Sequence, residues 1–184
     1  AIATAEAITL CGATPVFCDL EPGYFFLSAK EIEKKITPRT KALVPVHLYG
    51  QPADLDAILD IARRHGLPVL EDCAQSQGAR YNGRFVGTFG DAATFSFFPS
   101  KNLGGFGDGG AFTAKDPEVM HWMRMFSNHG REKKYDHDFE GINSRLDAMQ
   151  AALLNVCLPC LDDWNSSRRR AAKWYDEAFA GMND

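Results

Sequence analysis

One stretch decides the fold of this 184-residue chain: Phe95-Ser-Phe-Phe-Pro-Ser-Lys-Asn-Leu-Gly-Gly105. The apolar residues 93–98 predict a short buried strand, which Pro99 ends because proline cannot donate a hydrogen bond to a neighbouring strand. We therefore expect Lys101 in a tight turn just beyond the carboxyl end of that strand. The neighbouring phenylalanine and leucine side chains keep water from its amine, which favours the uncharged, nucleophilic form. The alternative interpretation is an ordinary surface lysine in a glycine-rich loop.

Upstream of this stretch, predicted strands alternate with predicted helices as far as residue 72. Apolar runs predict strands at 15–20, 41–46 and 67–71, and periodic apolar positions and helix caps predict helices at 2–11, 28–36 and 55–64. This alternation is typical of an α/β fold with a mostly parallel sheet and helices on both faces. Ligands of such sheets bind beyond the carboxyl ends of the strands. Three polar residues are predicted at such ends: His47, Asp72 and Lys101.

Downstream of the lysine, turn and cap residues divide the rest of the chain. We expect a strand at 110–114, a helix from Asp116 to about Ser127 and a polar loop at 130–141. A further helix begins at a cap in 144–147, and Pro159 divides it from the helical run that follows. Before the lysine, Asn82-Gly83 predicts a tight hairpin.

Composition narrows the class of protein. There are 20 basic and 24 acidic residues, a net charge of −4, and this mild acidic balance gives no reason to expect nucleic acid as a partner. No run of 18 apolar residues is present, so we expect no membrane span. Five cysteines without framework spacing favour a reducing, cytoplasmic setting. A zinc site would need a second pair of ligands besides Cys157 and Cys160, and no other pair has the required spacing, so we expect no metal.

A carboxylate at the end of a buried strand needs a partner, because an unpaired buried charge is unstable. Asp72 could cap a helix or join an ion pair, or it could face a ring nitrogen such as that of pyridoxal phosphate. In that role it would keep the ring protonated and make it an electron sink. The carboxyl ends of the predicted strands form one edge of the sheet, which we call the rim. Gln75, predicted at this rim, could hydrogen-bond the cofactor, and the hydroxyl of Ser96 could bind its phosphate.

Seven motifs then occur in one order along the chain: GATPVF (12–17), VHLYGQPAD (46–54), EDCAQ (71–75), FSFFPSKNLG (95–104), GDGG (107–110), NHG (128–130) and GINSR (141–145). In these motifs the chain resembles the pyridoxal-phosphate-dependent sugar aminotransferases of the DegT/StrS type, within the fold-type I aminotransferase superfamily. The resemblance covers nearly the whole chain, and the lysine motif is its most diagnostic part.

The resemblance implies a role for each matching residue. Lys101 is the catalytic lysine that binds pyridoxal phosphate through a Schiff base and carries the proton. Asp72 pairs with the ring nitrogen, Gln75 lies beside the ring and Ser96 binds the phosphate. His47 lies near this site without an assigned role.

The resemblance also implies a homodimer with shared active sites. In this arrangement Asn143 and Arg145 bind near the phosphate in the neighbouring subunit's site. The implied reaction moves an amino group, usually from glutamate, to a nucleotide-linked keto-sugar, without a metal. A sugar dehydratase on the same scaffold is one alternative, although a histidine replaces the lysine in those relatives. A non-catalytic, regulatory relative is the other, although a scaffold alone needs none of the site residues.

The resemblance finally implies that residues 1–184 are the central part of a pyridoxal-phosphate-binding large domain. We expect a phosphate loop upstream of residue 1 and a small C-terminal domain after Asp184, and neither is in this chain. An aromatic residue that stacks on the cofactor is expected at or just before position 1, where the chain has Ala1. Alone, this piece is expected to be inactive.

Overall fold

A computed structural model describes residues 2–182, so the expectation about Ala1 lies outside the described residues. The helices are α1 (Ile2–Leu10), α2 (Ala29–Lys35), α3 (Leu55–His65), α4 (Pro117–Phe126), α5 (Ala148–Cys157) and α6 (Leu161–Phe179). The strands are β1 (Leu70–Asp72), β2 (Arg80–Tyr81), β3 (Arg84–Phe85), β4 (Ala92–Ser96), β5 (Gly110–Ala114), β6 (Arg131–Lys133) and β7 (Asp136–His137). Short 3₁₀ turns occur at Leu48–Gly50 and Leu158–Cys160.

The central sheet has the strand order β1-β4-β5. Strand β1 is parallel to β4, with Asp72 opposite Thr94, whereas β5 is antiparallel to β4, with Gly110 opposite Ser96. Residues 43–46 extend the parallel part of the sheet. Leu43 forms a parallel bridge to Val69, the residue before β1, and Val46 forms one to Asp72 at the end of β1. The predicted strand at 41–46 is therefore reduced to two bridges, and the sheet is mixed at its β5 edge.

The predicted strand at 15–20 is wrong. Only Leu20 makes a bridge, to Leu27, and Val16 and Phe17 are 65% and 74% exposed. A strand needs a neighbour for its backbone hydrogen bonds, and no further strand pairs with this segment among residues 2–182. The apolar pattern indicated a tendency to be buried, and that tendency alone does not create a sheet partner.

Helix α3 forms where its sequence predicts and packs against one face of the sheet. Asp54 caps it by accepting a hydrogen bond from the backbone of Ala57, and Gly66 ends it in the left-handed conformation, with φ of 61°. Its buried Ile58 and Ile61 pack with Val69 in the main core. Each such burial stabilises the fold by about 1.5–3 kcal/mol.

The other local predictions are confirmed with small changes. Ser28 stands at the cap position before α2, as the predicted helix at 28–36 requires, but its side chain makes no cap hydrogen bond. Asn82 and Gly83, with φ of 47° and 79°, form the predicted hairpin between β2 and β3. The polar loop at 130–141 contains the β6–β7 hairpin, and α5 begins after Asp147. No helix within residues 2–182 has the length and apolar character needed to cross a bilayer.

Candidate active site

Two neighbouring carboxylates on β1 face opposite sides of the sheet, because side chains alternate along a strand. Glu71 is completely buried on the side of α3. Asp72 lies on the side of α1, where its Oδ2 accepts a hydrogen bond of 2.6 Å from the hydroxyl of Thr4. Its Oδ1 accepts one of 3.0 Å from the backbone N–H of Ala74. Asp72 is therefore oriented at the carboxyl end of β1, as the sequence predicts.

Glu71 is paired with His47, which answers the question of the role of that histidine. The Nε2 of His47 lies 3.0 Å from Oε2 of Glu71, and its Nδ1 accepts a hydrogen bond of 3.0 Å from the backbone of Ala53. Since Nδ1 accepts, the ring proton is on Nε2 and is donated to Glu71, which makes the histidine neutral. His47 is completely buried and points into the core, away from the rim where the sequence placed it.

Three backbone N–H groups complete the surroundings of Glu71. They belong to Gly87, Phe89 and Gly90, at 2.7, 2.8 and 2.6 Å from the carboxylate oxygens. Burial alone would raise the pKa of Glu71, but the hydrogen bonds from His47 and these N–H groups lower it below its ordinary value. The carboxylate is therefore charged and fully hydrogen-bonded, and it ties the turn after β3 to β1.

Cys73 completes a buried cluster with His47 and Glu71, whose donor atoms lie within 4.8 Å of one another. Burial and the nearby charge of Glu71 raise the pKa of the Cys73 thiol to about 12. Each possible ligand atom of His47 and Glu71 already takes part in a hydrogen bond, so a metal ion would have to displace at least one bond on each of these residues. The cluster is therefore a hydrogen-bonded part of the core.

Gln75 lies beyond Asp72 at the same rim. Its Oε1 accepts a hydrogen bond of 2.9 Å from the backbone N–H of Tyr49, a residue with an uncommon positive φ of 57°. The NH₂ group of the amide makes no hydrogen bond among residues 2–182 and therefore keeps its capacity to donate to a ligand.

Lys101 lies in the predicted turn after β4. Its backbone N–H donates to the carbonyl of Phe98 at 2.9 Å, and the N–H of Gly105 donates to that of Phe97 at 2.7 Å. Its amine has no hydrogen-bond or ion-pair partner among residues 2–182.

The predicted apolar cover of Lys101 is only partly present. Leu103 is buried, but Phe98 and Phe106 are 49% and 79% exposed, and Lys101 itself is half-buried. Within this chain the lysine is therefore less desolvated than its neighbours in the sequence suggest.

Ser96 ends β4, two residues beyond the position opposite Asp72. Its Oγ accepts a hydrogen bond of 3.3 Å from the backbone of Phe98, which leaves the hydroxyl proton available to a ligand. Asp72 and Ser96 are thus the last residues of the parallel strands β1 and β4, and Gln75 and Lys101 follow soon after them.

Asn143 and Arg145, which are exposed, form a separate group with the half-buried Asn128. Asn128 and Asn143 are bridge partners, and the guanidinium of Arg145 donates to both side-chain oxygens, at 3.3 and 3.0 Å. Neither residue hydrogen-bonds to the four rim residues within the described chain. The structure of one chain therefore leaves these two predicted cofactor ligands outside the rim group.

The four rim residues fit pyridoxal phosphate by the chemistry of their groups. Lys101 offers an amine for the aldehyde, and Asp72 offers a carboxylate for the ring nitrogen. Gln75 offers an amide donor, and Ser96 offers a hydroxyl for the phosphate.

Several residues that support the rim were missed from the sequence. Thr4, which orients Asp72, is 68 residues away from it in the chain. The buried Gln77 and the half-buried Asn102 and Asn165 form an amide cluster below the lysine turn. Only the alternation of Glu71 and Asp72 on one strand could have indicated in advance that the two carboxylates have different partners.

The helices and the mixed sheet have the fold of the DegT/DnrJ-type aminotransferases, with TM-scores of 0.96 and 0.92 against two solved structures of such proteins. The chain belongs to the DegT/DnrJ/EryC1/StrS aminotransferase family, which matches residues 1–184. The family resemblance predicted from the motifs is confirmed.

Individual relatives agree with this assignment. The chain is 53% identical over 182 residues to UDP-N-acetyl-3-dehydro-alpha-D-glucosamine 3-aminotransferase from Acidithiobacillus ferrooxidans, covering 99% of this chain and 49% of that protein. The structure of S. venezuelae DesV in complex with a ketimine intermediate has a TM-score of 0.96 at 50% identity, covering 100% of this chain and 49% of that one. NtdA from Bacillus subtilis, with the bound cofactor PMP, has a TM-score of 0.77 at 36% identity, covering 84% and 35%. The chain spans about half the length of the curated relatives it matches.

Proposed function

We propose that the protein containing this chain is a pyridoxal-phosphate-dependent aminotransferase that uses Lys101 as its catalytic residue. One observation carries this proposal: a lysine amine without a partner among residues 2–182 and an oriented carboxylate, Asp72, lie at the carboxyl ends of two adjacent parallel strands. Membership of the aminotransferase family supports it. Residues 1–184 are, in this proposal, the central part of the large domain, and the isolated piece is inactive.

Each rim residue has a defined task. Pyridoxal phosphate, when bound, supplies an aldehyde and an electron-withdrawing ring that stabilises negative charge on a substrate carbon. Lys101 would bind the aldehyde carbon and later take and return a proton at its Nζ. Asp72, held by Thr4, would keep a proton at the ring nitrogen. Gln75 and Ser96 would donate hydrogen bonds and orient the ring and the phosphate.

The proposed substrates are a nucleotide-linked keto-sugar and an amino-acid donor, glutamate. The name of the Acidithiobacillus ferrooxidans relative, an aminotransferase of a UDP-linked 3-dehydro sugar, supports this class. That name and the presence of Lys101 both favour transamination over the dehydratase alternative. We further propose a cytoplasmic homodimer, in which Asn143 and Arg145 bind near the phosphate in the partner's site.

The test is chemical fixation of the cofactor in the whole protein. Borohydride treatment after incubation with pyridoxal phosphate should leave the label on Lys101, located by peptide mapping. Lys115 provides the matched control, because its amine already donates to the carbonyl of Phe89 at 2.7 Å. Lys101→Met should abolish the label and Lys115→Met should retain it. A label on any other lysine would contradict the proposal.

A further inference from the structure

A cluster of three amide side chains lies below the lysine turn. The Nδ2 of Asn102, the residue after Lys101, donates to the backbone carbonyl of Gln77 at 2.6 Å. Asn165, on α6, donates to the same carbonyl at 3.0 Å and accepts from Asn102 at 3.3 Å. Two asparagines from distant parts of the chain therefore converge on one carbonyl oxygen.

The same cluster also reaches the end of β4. The side-chain Nε2 of Gln77 donates to the backbone carbonyl of Ser96 at 2.5 Å. Gln77 thus connects two sites that the proposed function uses: the strand end at Ser96 and, through Asn102, the turn that carries Lys101. Both are fastened to helix α6 through Asn165.

The backbone leaves room for this arrangement. Gly78 has a positive φ of 81°, and a Cβ at that position would lie 2.9 Å from Nδ2 of Asn165. Any larger residue at position 78 would therefore push the asparagine from the carbonyl that it binds.

Two acceptors of the cluster have no partner within residues 2–182. They are Oε1 of Gln77 and Oδ1 of Asn102, and both atoms are buried. A buried polar atom without a partner destabilises the folded state. An apolar contact of similar shape would avoid this loss, so packing alone does not explain why three amides are used here. Directional hydrogen bonds, by contrast, fix the position of the groups that they join.

We propose that Gln77, Asn102 and Asn165 are positioning residues that set the place of the Lys101 amine relative to Ser96. The inference rests on the proposed function, because it assigns a task to the lysine. Lys101 and Asn102 are consecutive, so release of the Asn102 side chain frees the backbone from which the lysine side chain extends. A misplacement of about 1 Å at a reacting group can lower a rate by about 100-fold.

The first test uses the cofactor-free whole protein and hydrogen exchange. Asn165→Ala should speed amide exchange in peptides covering 98–105 by about tenfold or more, while peptides of α3 keep their wild-type rates. Asn155→Ala is the matched control, because Asn155 is an exposed helical asparagine with no side-chain hydrogen bond among residues 2–182. Wild-type exchange at 98–105 in Asn165→Ala would overturn the inference. If Asn165→Ala does not fold, Asn102→Ala, in the turn itself, takes its place with the same two outcomes.

The second test uses the protein loaded with pyridoxal phosphate. Asn165→Ala should lower kcat by about tenfold or more with KM changed less than about threefold, and it should shift the pH midpoint of the cofactor absorption band. Asn102→Ala should act through the same connection, so the double variant should lose no more than the larger single loss. Fully additive losses, or an unchanged kcat and pH midpoint, would reject a positioning role. Failure of wild-type protein to bind the cofactor at Lys101 would reject the proposed function instead, and the exchange test does not depend on it.

Discussion

At the residue scale, Glu71 and Asp72 show how two adjacent carboxylates acquire different tasks. Glu71 accepts hydrogen bonds from His47 and three backbone N–H groups, so both of its carboxylate oxygens are fully used as acceptors inside the protein. Asp72 keeps one side towards the rim while Thr4 and Ala74 hold its orientation. The first residue stabilises the fold, and the second is available to a ligand.

Replacement of Glu71 gives a prediction about pH. The folded state lowers the pKa of this carboxyl group, so its contribution to stability is present above the ordinary glutamate value of about 4.3 and is lost as pH falls below it. Glu71→Gln should lower the free energy of unfolding at pH 7 by about 3 kcal/mol, because four hydrogen-bond donors lose a charged acceptor. The difference between variant and wild type should narrow on acidification.

Urea unfolding of the whole protein between pH 7 and pH 3 measures this difference. Glu118→Gln, at an exposed position, is the control and should follow the wild-type curve. A constant difference across the pH range would show that the charge of Glu71 has no part in the effect.

Replacement of Asp72 gives a prediction about rate. In Asp72→Asn the amide cannot favour a protonated ring nitrogen as a carboxylate does, so kcat should fall about 100-fold, equivalent to roughly 3 kcal/mol. The thermal midpoint should change little, because the amide oxygen still accepts one of the two hydrogen bonds. Thr4→Val, which removes only the orienting hydroxyl, should lower kcat by a smaller factor. A near-normal rate in Asp72→Asn would mean that another group holds the ring proton.

At the scale of elements, the lysine turn is supported from two helices. From α6, Asn165 contacts Asn102 at the start of the turn. From α5, Gln150 accepts a hydrogen bond of 2.8 Å from the backbone of Phe106 just after it. The turn is therefore a rigid connection between β4 and β5, although two of its phenylalanines are exposed.

Replacement of Gly104 tests how closely the backbone of this turn is packed. A Cβ at this position would lie 2.6 Å from the carbonyl oxygen of Pro99 and 2.9 Å from that of Phe98. Gly104→Ala must therefore move the backbone and should lower the free energy of unfolding by about 1–3 kcal/mol. Borohydride fixation of the cofactor should slow in the same variant. Ser100→Ala, at an exposed position of the same turn, should leave both quantities unchanged. Unchanged stability in Gly104→Ala would show that the turn can open without loss.

At the scale of the whole molecule, the described chain exposes several apolar surfaces. Helix α1 has no buried residue, although its sequence is largely apolar. Three aromatic rings, those of Phe126, Trp122 and Phe139, stack with centroid distances of 5.0 and 5.3 Å, and Trp122 is half exposed. Exposed apolar surface of this kind favours contact with further protein. This is consistent with the proposed homodimer and with a chain that spans about half of its relatives.

The proposed shared site predicts complementation between two inactive variants. Lys101→Ala and Asn143→Ala should each be nearly inactive as homodimers of the whole protein. In a mixed dimer, one site carries both defects and the other carries none, because a two-fold axis exchanges the contributions of the subunits. Refolding the two together should restore activity in about half the sites of each heterodimer. No recovery, with heterodimers verified by mass, would show that one subunit supplies both residues.

The sequence alone determined the features that depend on local chemistry. Helix α3, with its Asp54 cap and Gly66 stop, follows from the 3.6-residue period and the known capping residues. The position of Lys101 after β4 follows from an apolar run ended by Pro99. The family motifs named the four rim residues, because a lysine, a carboxylate, an amide and a hydroxyl occur at those places in the chain.

Only the tertiary structure decided which distant groups meet. Glu71 pairs with His47, 24 positions earlier, and Asn165 reaches Gln77 across 88 positions. The antiparallel direction of β5 and the missing strand at 15–20 were also decided at this level. The physical reason is that periodicity and turn residues specify the conformation of a segment, whereas hydrogen-bond partners depend on how separate segments pack. A local sequence pattern does not specify which distant segment it will contact, so the amide cluster below Lys101 is recognisable only in the folded chain.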